Sequence, residues 1–337
     1  WIGGASGNWT DAANWSRNIK PQTSHTIKFE SDATVAMTEA VQDYEKLVLD
    51  NASVTIARST GGDKFHLGAI EGTGRLTIDR MGLGQINGRT LEIPATVEMK
   101  MKNNSWFGDF EYGGIVNVRG NVAVSEELQL WKSVAIYGNI SGTGSIVMKN
   151  GGGTYGFYGD NRDFHGTIEK NFNTGLTIGS ANAAGTNIAW RVGGDMTLDV
   201  SEGVVQFGSL ELWQNAWCVM YFPDGATTTL EVGNLNTDFA FNNGYFLWGN
   251  GSNRQNIDIT IRKVGTGTLT SYLYNYRNME IEGGKVVLNN PSGFDGNSFK
   301  NLNKVSVGRG AVLACNIDTG SDGMTIDSLE FKDGSYY

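Results

Sequence analysis

The amino-acid sequence predicts an all-β fold, a single-stranded right-handed parallel β-helix with an N-terminal cap. Short segments alternate apolar and polar residues with the two-residue period of strands, and no long stretch has the period of a helix. Glycine is abundant and proline scarce, at 47 and 4 of 337 residues, which suits many sharp turns between short strands. In addition, a ten-residue phrase built on G-T-G recurs along the chain.

The phrase is clearest at 140–149, which reads I-S-G-T-G-S-I-V-M-K. Its apolar and small residues would share one face of a strand, and its mostly polar residues the other. Similar phrases occupy 70–79 and 263–272, although Lys263 and Ser271 replace the outer apolar residues of the third copy. The copies are unequally spaced, so the phrase predicts a strand entry that recurs in a chain of similar turns.

The central part of the chain keeps one parity across several polar turns. Strands this short, without intervening helices, leave a sandwich, barrel, propeller or β-helix. The chain has no propeller blade signature and few two-residue hairpin turns, so the tandem phrasing favours a pectin-lyase-like solenoid. The apolar residues that share even positions are Val116, Val118, Val122, Val124, Leu128, Leu130, Val134, Ile136, Ile140, Ile146 and Met148.

Aromatic residues offer a second measure of the coil. They recur at steps of about 25 to 33 residues, beginning with Trp106 and Trp131, which is a plausible length for one solenoid coil. If each coil has this length, equivalent aromatic residues should lie one above another.

Residues 1–25 differ from the rest, because Trp1, Trp9 and Trp15 stand among Gly, Asn, Ser and Ala. We interpret them as an aromatic cap over the open end of the strand stack, where unpaired edges would otherwise be exposed. The alternative is a sugar-binding aromatic cluster. Residues 26–337 then form the β-helix, and we expect the whole to be a fragment of a longer chain.

Composition excludes several partners. The 35 acidic and 26 basic residues give a net charge of −9, which argues against nucleic acid and against an anionic membrane surface. The sequence contains no apolar run long enough to span a membrane as a helix. Cys218 and Cys315 each lie in an apolar run, which favours buried free thiols, although a bridge between them stays open.

Parts of the sequence resemble the autotransporter-associated β-strand repeat of bacterial surface proteins. The resemblance rests on G-T-G-x-L-T, on G-D-N-R-D-F-H-G-T-I at 159–168, on I-E-G-G-K-V-V-L-N-N at 281–290 with V-S-V-G-R-G-A-V-L at 305–313, and on the tryptophan-rich opening. It implies a right-handed parallel β-helix on a bacterial cell surface and brings no catalytic residues. The chain departs from the family in lacking a C-terminal membrane barrel, so the route of export stays open.

Candidate chemistry is sparse. His25, His66 and His165 have no second His or Cys at ligand spacing, so we predict no metal site and no cofactor. Asp160 and Asp163 follow several aromatic residues and could act as acid and base on a sugar, but a polar turn explains them equally simply. The segment 318–322 offers two aspartates to Ca²⁺, without the full ligand series of a known loop.

A triplet of aromatic residue, glycine and Asp or Asn occurs four times. A ring beside a flexible corner and a hydrogen-bonding side chain is typical of sugar binding, because apolar sugar faces stack on rings while hydroxyls need polar partners. The alternative is an aromatic residue that closes the core at a corner. The triplets begin at Phe107, Tyr137, Tyr158 and Trp248, and the predicted ligand-binding residues are Phe107, Asp109, Tyr158, Asp160, Trp248 and Asn250.

These observations predict a secreted or surface-displayed bacterial β-helix with a structural or adhesive role and no enzymatic activity. Its partners would be glycans or host cell-surface proteins, met outside the cell or on its outer surface. The alternative is a β-helix that binds or cleaves polysaccharide, and a third possibility is a passive stalk. An enzyme should have a cleft with two carboxylates about 5 to 9.5 Å apart, whereas an adhesin should show rings and polar groups without that pair.

Overall fold

The computed structural model describes residues 1–39, 43–59, 63–109, 111, 113–149, 152–172, 174–213, 218–242, 244–249, 258–272, 277–289, 301–316 and 325–332. Strands make up 58% of the chain and helix 1%, which confirms the all-β prediction. Over the described residues, parallel sheets form a right-handed β-helix of about 11 turns, as predicted. The chain divides into two compact units, Trp1–Gly166 and Thr167–Tyr337.

The first unit contains one short 3-10 turn, Ala12–Asn14, and sixteen strands among its described residues. The strands are β1 (Ser6–Asn8), β2 (Thr26–Phe29), β3 (Ala33–Ala36), β4 (Asp43–Ala57), β5 (Lys64–Asp79), β6 (Gly82–Gln85), β7 (Thr90–Ile93), β8 (Val97–Lys102), β9 (Ser105–Phe107), β10 (Ile115–Val118), β11 (Val122–Val124), β12 (Glu127–Leu130), β13 (Ser133–Ile136), β14 (Ile140–Gly142), β15 (Ser145–Met148) and β16 (Thr154–Phe157).

The described part of the second unit contains seventeen strands. They are β17 (Thr167–Asn171), β18 (Gly175–Ile178), β19 (Ala189–Gly193), β20 (Met196–Leu198), β21 (Glu202–Phe207), β22 (Ser209–Leu212), β23 (Cys218–Phe222), β24 (Thr227–Val232), β25 (Phe239–Phe241), β26 (Gly244–Gly249), β27 (Thr260–Lys263), β28 (Thr268–Ser271), β29 (Asn278–Ile281), β30 (Lys285–Asn289), β31 (Asn301–Val307), β32 (Val312–Asn316) and β33 (Thr325–Phe331).

Strands stack in register from one coil to the next. In the first unit, β7, β10, β13 and β16 pair in parallel, which places Leu91, Val116, Val134 and Tyr155 in one column. Each step of this column therefore spans about 18 to 25 residues. In the second unit, β21, β24, β27, β29, β31 and β33 form an equivalent parallel stack.

The even-numbered apolar residues between 116 and 148 all lie in the core, as their shared parity predicts. Val116 and Val134 face inward from one stack of strands, and Ile140, Ile146 and Met148 face inward after the next corners. The parity survives because each corner in this stretch inserts an even number of residues between inward-facing positions. Burial of these side chains supplies the main stabilising term of the coils.

The aromatic measure of the coil is wrong. Trp106 pairs with Gln129 in the next coil, and Trp131 lies two residues beyond the paired position. Coils differ in length because their corners differ in length, so a residue type that recurs in sequence need not stack in space. Strand register and the aromatic spacing are therefore independent in this chain.

The G-T-G phrase is a corner, where an uninterrupted strand was predicted at 140–149. It separates β14 from β15 and β27 from β28, and only the copy at 70–79 is continuous within β5. The first glycine of each triplet has positive φ, at 96° for Gly72, 108° for Gly142 and 70° for Gly265. A Cβ atom there would also overlap a carbonyl oxygen of the neighbouring coil, so glycine is required twice over.

Lys263, which replaces an apolar residue in the third phrase, is fully buried. Its Nζ donates hydrogen bonds to the carbonyl oxygens of Val264, Gly265 and Gly283, at 2.5, 3.1 and 3.4 Å. Burial lowers the pKa of Lys263 to about 8, against the opposing influence of Asp238. Lys170 is buried in a similar way, and its Nζ donates to two carbonyl oxygens at 2.8 Å.

The N-terminal segment joins the first coil directly. Strand β1 pairs in parallel with β3, and the first long stretch of strand begins at Thr26, where the sequence predicts it. Trp9 and Trp15 are buried, and the Trp9 indole donates a hydrogen bond to the Tyr44 hydroxyl at 2.8 Å. Tryptophans of the first 25 residues therefore lie against the aromatic core of the first coils.

The two cysteines are free. Cys218 is buried, as predicted, and burial raises the pKa of its thiol to about 12. Cys315 is exposed on β32, so the prediction that it is buried is wrong. Among the residues that the structure describes, no helix is long and apolar enough to cross a membrane.

The buried ammonium of Lys263 predicts an unusual pH dependence of stability. Its pKa is about 8 in the folded chain and ordinarily 10.5, so the unfolded chain binds more protons between these pH values. The free energy of unfolding of the wild type should therefore rise with pH across this window, relative to Lys263→Met, by about 3 kcal/mol. Urea unfolding of both proteins at pH 7 and pH 10.5 measures the difference. A wild-type-to-variant difference that is independent of pH contradicts the prediction.

Candidate functional site

Two of the predicted triplets form equivalent corners of successive coils. Tyr137-Gly138-Asn139 follows β13 and Tyr158-Gly159-Asp160 follows β16. The Asn139 side chain accepts a hydrogen bond from the backbone N–H of Asp160 at 2.8 Å, and Asn121 accepts one from Asn139 at 3.0 Å. The polar residue of the triplet therefore links one coil to the next.

The middle glycine of each corner is required by close approach between coils. A Cβ atom at Gly138 would overlap the carbonyl oxygen of Gly120, and one at Gly159 would overlap that of Gly138. Gly120 is related in the same way to the carbonyl oxygen of Val97. The glycines therefore form a column in which each backbone lies directly against the next, and no larger residue fits.

The first residues of these corners form a stack on the outside of the first unit. The rings of Tyr137 and Tyr158 are 4.6 Å apart between centroids and inclined by 12°. The guanidinium carbon of Arg119 lies 4.8 Å from the centroid of the Tyr137 ring. Both faces of Tyr137 are therefore occupied, which leaves its edge and hydroxyl to solvent and removes it as a stacking platform for a sugar.

The Phe107 triplet has the same letters and a different position. Phe107 lies within β9 with its side chain fully buried, and Asp109 is also fully buried. Neither side chain faces solvent, so Phe107 lies outside any exposed column of rings. Trp248 belongs to β26 in the second unit, but its side chain and Asn250 lie outside the described residues.

The carboxylate pair Asp160 and Asp163 lies on a turn. The Arg162 guanidinium binds both carboxylate oxygens of Asp160, at 2.9 and 3.0 Å from Nε, and the Arg162 backbone N–H donates to it at 3.1 Å. These contacts lower the pKa of Asp160, whereas a general acid needs a raised pKa. Asp163 is exposed on the same turn. The bonds of this turn fit the polar-turn interpretation.

A network of buried charges lies on the outward face of the first unit. The two ring nitrogens of His66 face two carboxylates, Nδ1 at 2.9 Å from Asp43 and Nε2 at 2.7 Å from Asp109. Lys64 Nζ lies 2.6 Å from the second oxygen of Asp109 and 3.3 Å from a carboxylate oxygen of Glu111. His66 and Asp109 have almost no exposed surface, at 2% and 0% for their side chains.

Strand β5 and two glycines place this network. The alternation of β5 sends Phe65 into the core, and its neighbours Lys64 and His66 to the opposite face. Both are buried there because β6 pairs beside them with Gly82 and Gly84, which have no side chains. A Cβ atom at Gly84 would lie 2.9 Å from the His66 ring, so the glycine leaves room for the imidazole.

The network holds a segment rather than a substrate. Burial alone would raise the pKa of Asp109, but the hydrogen bonds from Lys64 and from the Glu111 backbone, with the charges of Lys64 and His66, outweigh burial and lower it. The carboxylate of Asp109 is therefore charged and fully engaged, and it fastens the segment after β9 to β5. Sequence reasoning missed Asp43, Lys64 and His66 as partners, because 23 to 45 residues separate members of the network.

A cavity of about 600 Å³ opens beside the N-terminal segment. Its aromatic side is formed by Trp1 and Trp15, whose rings meet edge to face at 5.1 Å between centroids. It lies entirely within the first 28 residues, which include the predicted cap. The residues that line it are Trp1, Trp15, Ser16, Arg17, Ile19, Pro21, Gln22, Ser24, His25, Thr26, Ile27 and Lys28.

The lining of this cavity contains no carboxylate and three basic residues. Arg17 is exposed and makes no ion pair or side-chain hydrogen bond with the described part of the chain. Lys28 pairs with Glu30 at 2.6 Å and with Asp50 at 3.1 Å, neither of which lines the cavity. The cavity therefore combines rings with donors and excludes negative side chains.

His25 adds a donor to the cavity. Its Nδ1 accepts a hydrogen bond from the backbone N–H of Gln22 at 3.2 Å. A ring whose Nδ1 accepts carries its proton on Nε2, so Nε2 is the nitrogen that can donate to a ligand. Sequence reasoning named His25 only to exclude zinc and did not connect it with the tryptophans.

Within the described ranges, no group of three His, Cys, Asp or Glu side chains is arranged to hold a metal ion. The aspartates of the segment 318–322 lie outside those ranges. No protein-family model, no curated protein and no solved structure matches the chain. The resemblance to the autotransporter-associated repeat therefore stays a prediction from the motifs.

The glycine column at the corners gives a direct test of the triplet. Gly138→Ala should lower the free energy of unfolding by at least about 2 kcal/mol, because its Cβ atom would overlap a backbone oxygen that cannot move alone. Gly113→Ala is the matched control, since no atom lies within 4 Å of a Cβ built there, and it should change stability by less than about 1 kcal/mol. Chemical denaturation measures both.

Equal stability of the two alanine variants would show that the corner relaxes around a methyl group. The glycine of the triplet would then have no packing role, and the sugar-binding interpretation of the triplet would regain weight.

Proposed function

We propose that this chain is a non-enzymatic β-helix, displayed on a bacterial surface or secreted, that contacts a glycan through the cavity at its N-terminal segment. The single observation that carries the proposal is the composition of that cavity, which joins two tryptophans to hydrogen-bonding side chains and has no carboxylate in its lining. The rest of the described chain serves as the scaffold of this contact.

The cavity suits a sugar for three physical reasons. Its volume of about 600 Å³ lies within the range of small-molecule sites. Tryptophan presents a large apolar surface, on which the C–H face of a pyranose can pack. Gln22, Ser24 and His25 offer the donors and acceptors that hydroxyl groups need.

Binding without cleavage follows from the missing carboxylates. Glycoside hydrolysis by the usual route needs a carboxylic acid and a second carboxylate across the scissile bond. The lining of the cavity supplies neither, and the described Asp160 on the outer turn of the first unit is neutralised by Arg162. A glycan held in the cavity would therefore be retained and not hydrolysed by that route.

The proposed location rests on the motif resemblance to bacterial surface repeats and on the acidic composition. Surface display predicts that protease added to intact producing cells removes the protein from the cell fraction, while a cytoplasmic marker survives. Secretion predicts the protein in the culture medium. Retention of an intact, protease-protected protein inside the cells would overturn the proposed location.

Glycan binding by the cavity can be tested with two variants and one control. Trp1→Ala should weaken binding about tenfold, because a sugar loses its stacking surface, and Gln22→Ala should weaken it through a lost hydrogen bond. Tyr137→Ala, which removes a ring of the outer stack, should leave the affinity unchanged. Titration of hits from a glycan panel measures the affinities, with thermal unfolding as the check of folding.

The same samples decide between the alternatives. Loss of binding in Tyr137→Ala alone would move the site to the outer stack of rings and overturn the cavity proposal. New reducing ends or unsaturated products after incubation with polysaccharide would show cleavage and overturn the non-enzymatic role.

A further inference from the structure

The charge of the cavity lining runs against that of the whole protein. The chain carries a net charge of −9, whereas Arg17 and Lys28 give the lining a positive charge, and no Asp or Glu opposes them there. Such a local reversal of sign attracts anions to one place on an otherwise acidic surface and repels them elsewhere.

Arg17 is the most available of these cations. Glu30 and Asp50 engage Lys28, and Glu39 engages the nearby Lys20 at 2.6 Å. Arg17 has no counter-ion in the described residues, so its guanidinium is open to a ligand. Arginine presents paired N–H groups that match the two oxygens of a carboxylate.

The tryptophans restrict the class of anion. A free inorganic anion would gain nothing from the rings of Trp1 and Trp15, which form the apolar side of the cavity. A pyranose that carries a carboxylate uses both features, because its C–H face packs on an indole while the carboxylate reaches the guanidinium.

We infer that the ligand of the cavity is an acidic oligosaccharide, whose uronic-acid carboxylate binds Arg17 while its ring packs against Trp1 and Trp15. This inference rests on the proposed glycan-binding function and adds the charge of the sugar. His25 Nε2 donates to an oxygen of the same sugar. No bond is made or broken, and the ligand is held by the three kinds of contact together.

The test compares each acidic glycan with its own neutral form. Oligogalacturonide, oligoalginate and hyaluronan fragments are titrated beside their methyl esters, which keep the ring and lose the charge. The acidic form of at least one pair should bind about tenfold more tightly, as a charge-assisted hydrogen bond predicts, and added salt should reduce the advantage.

Variants assign the effect to Arg17. Arg17→Gln should weaken binding of the acidic form about tenfold and leave the ester unchanged. Arg75→Gln, which removes an exposed arginine paired with Glu98 far along the first unit, is the matched control and should alter neither. A thermal unfolding midpoint equal to that of the wild type confirms that Arg17→Gln is folded.

The outcomes separate the two proposals. If esters bind as well as acids, or if Arg17→Gln binds both as the wild type does, the acidic-sugar inference is wrong and the glycan-binding function stands. If neither form of any pair binds and a wider neutral panel is also silent, the proposed function falls with it. If an acidic peptide competes while every acidic sugar fails, the cavity recognises a different class of ligand and the inference is overturned.

Discussion

The structure depends on in-register contact between parallel coils, which brings neighbouring backbones to about 4.8 Å along each stack of strands. At the corners this spacing leaves no room for side chains between coils, so Gly120, Gly138 and Gly159 lie one against another. Side chains that would be turn residues elsewhere become links between coils, as Asn121 and Asn139 show. The composition of the chain, rich in glycine and poor in proline, is a consequence of this one constraint.

Alternation carried most of the information that sequence could give about the fold. The even positions from Val116 to Met148 face the core because period-two patterning is a local property of each strand. Corners are less visible, since Gly142 continues the same alternation while its positive φ ends a strand. The spacing of Trp106 and Trp131 failed for a related reason, because the length of a coil is set by its corners and not by any recurrent residue.

The candidate sites were harder to predict because they join residues that only the register brings together. Phe107 and Tyr137 begin triplets with the same letters, yet one lies inside a strand and the other just after one, which exchanges a core position for a surface position. Lys64 and Asp109 are 45 residues apart and meet across a strand that carries glycine where a side chain would block them. Only Gly82 and Gly84, as a G-L-G strand, hinted at such a contact in the sequence.

Polar groups inside the solenoid have two solutions, and both consume the chemistry they contain. Lys170 and Lys263 neutralise backbone carbonyl groups at corners, and the network around Asp109 satisfies each charge with another. The outer rings are occupied in the same manner, since Arg119 and Tyr158 cover the two faces of Tyr137. A coil stabilised by using its own polar and aromatic groups has few left for a partner. In the described first unit, the N-terminal cavity differs because Arg17 and the rings beside it are not paired off by a following coil, and this is why ligand contact belongs there and not along the strands.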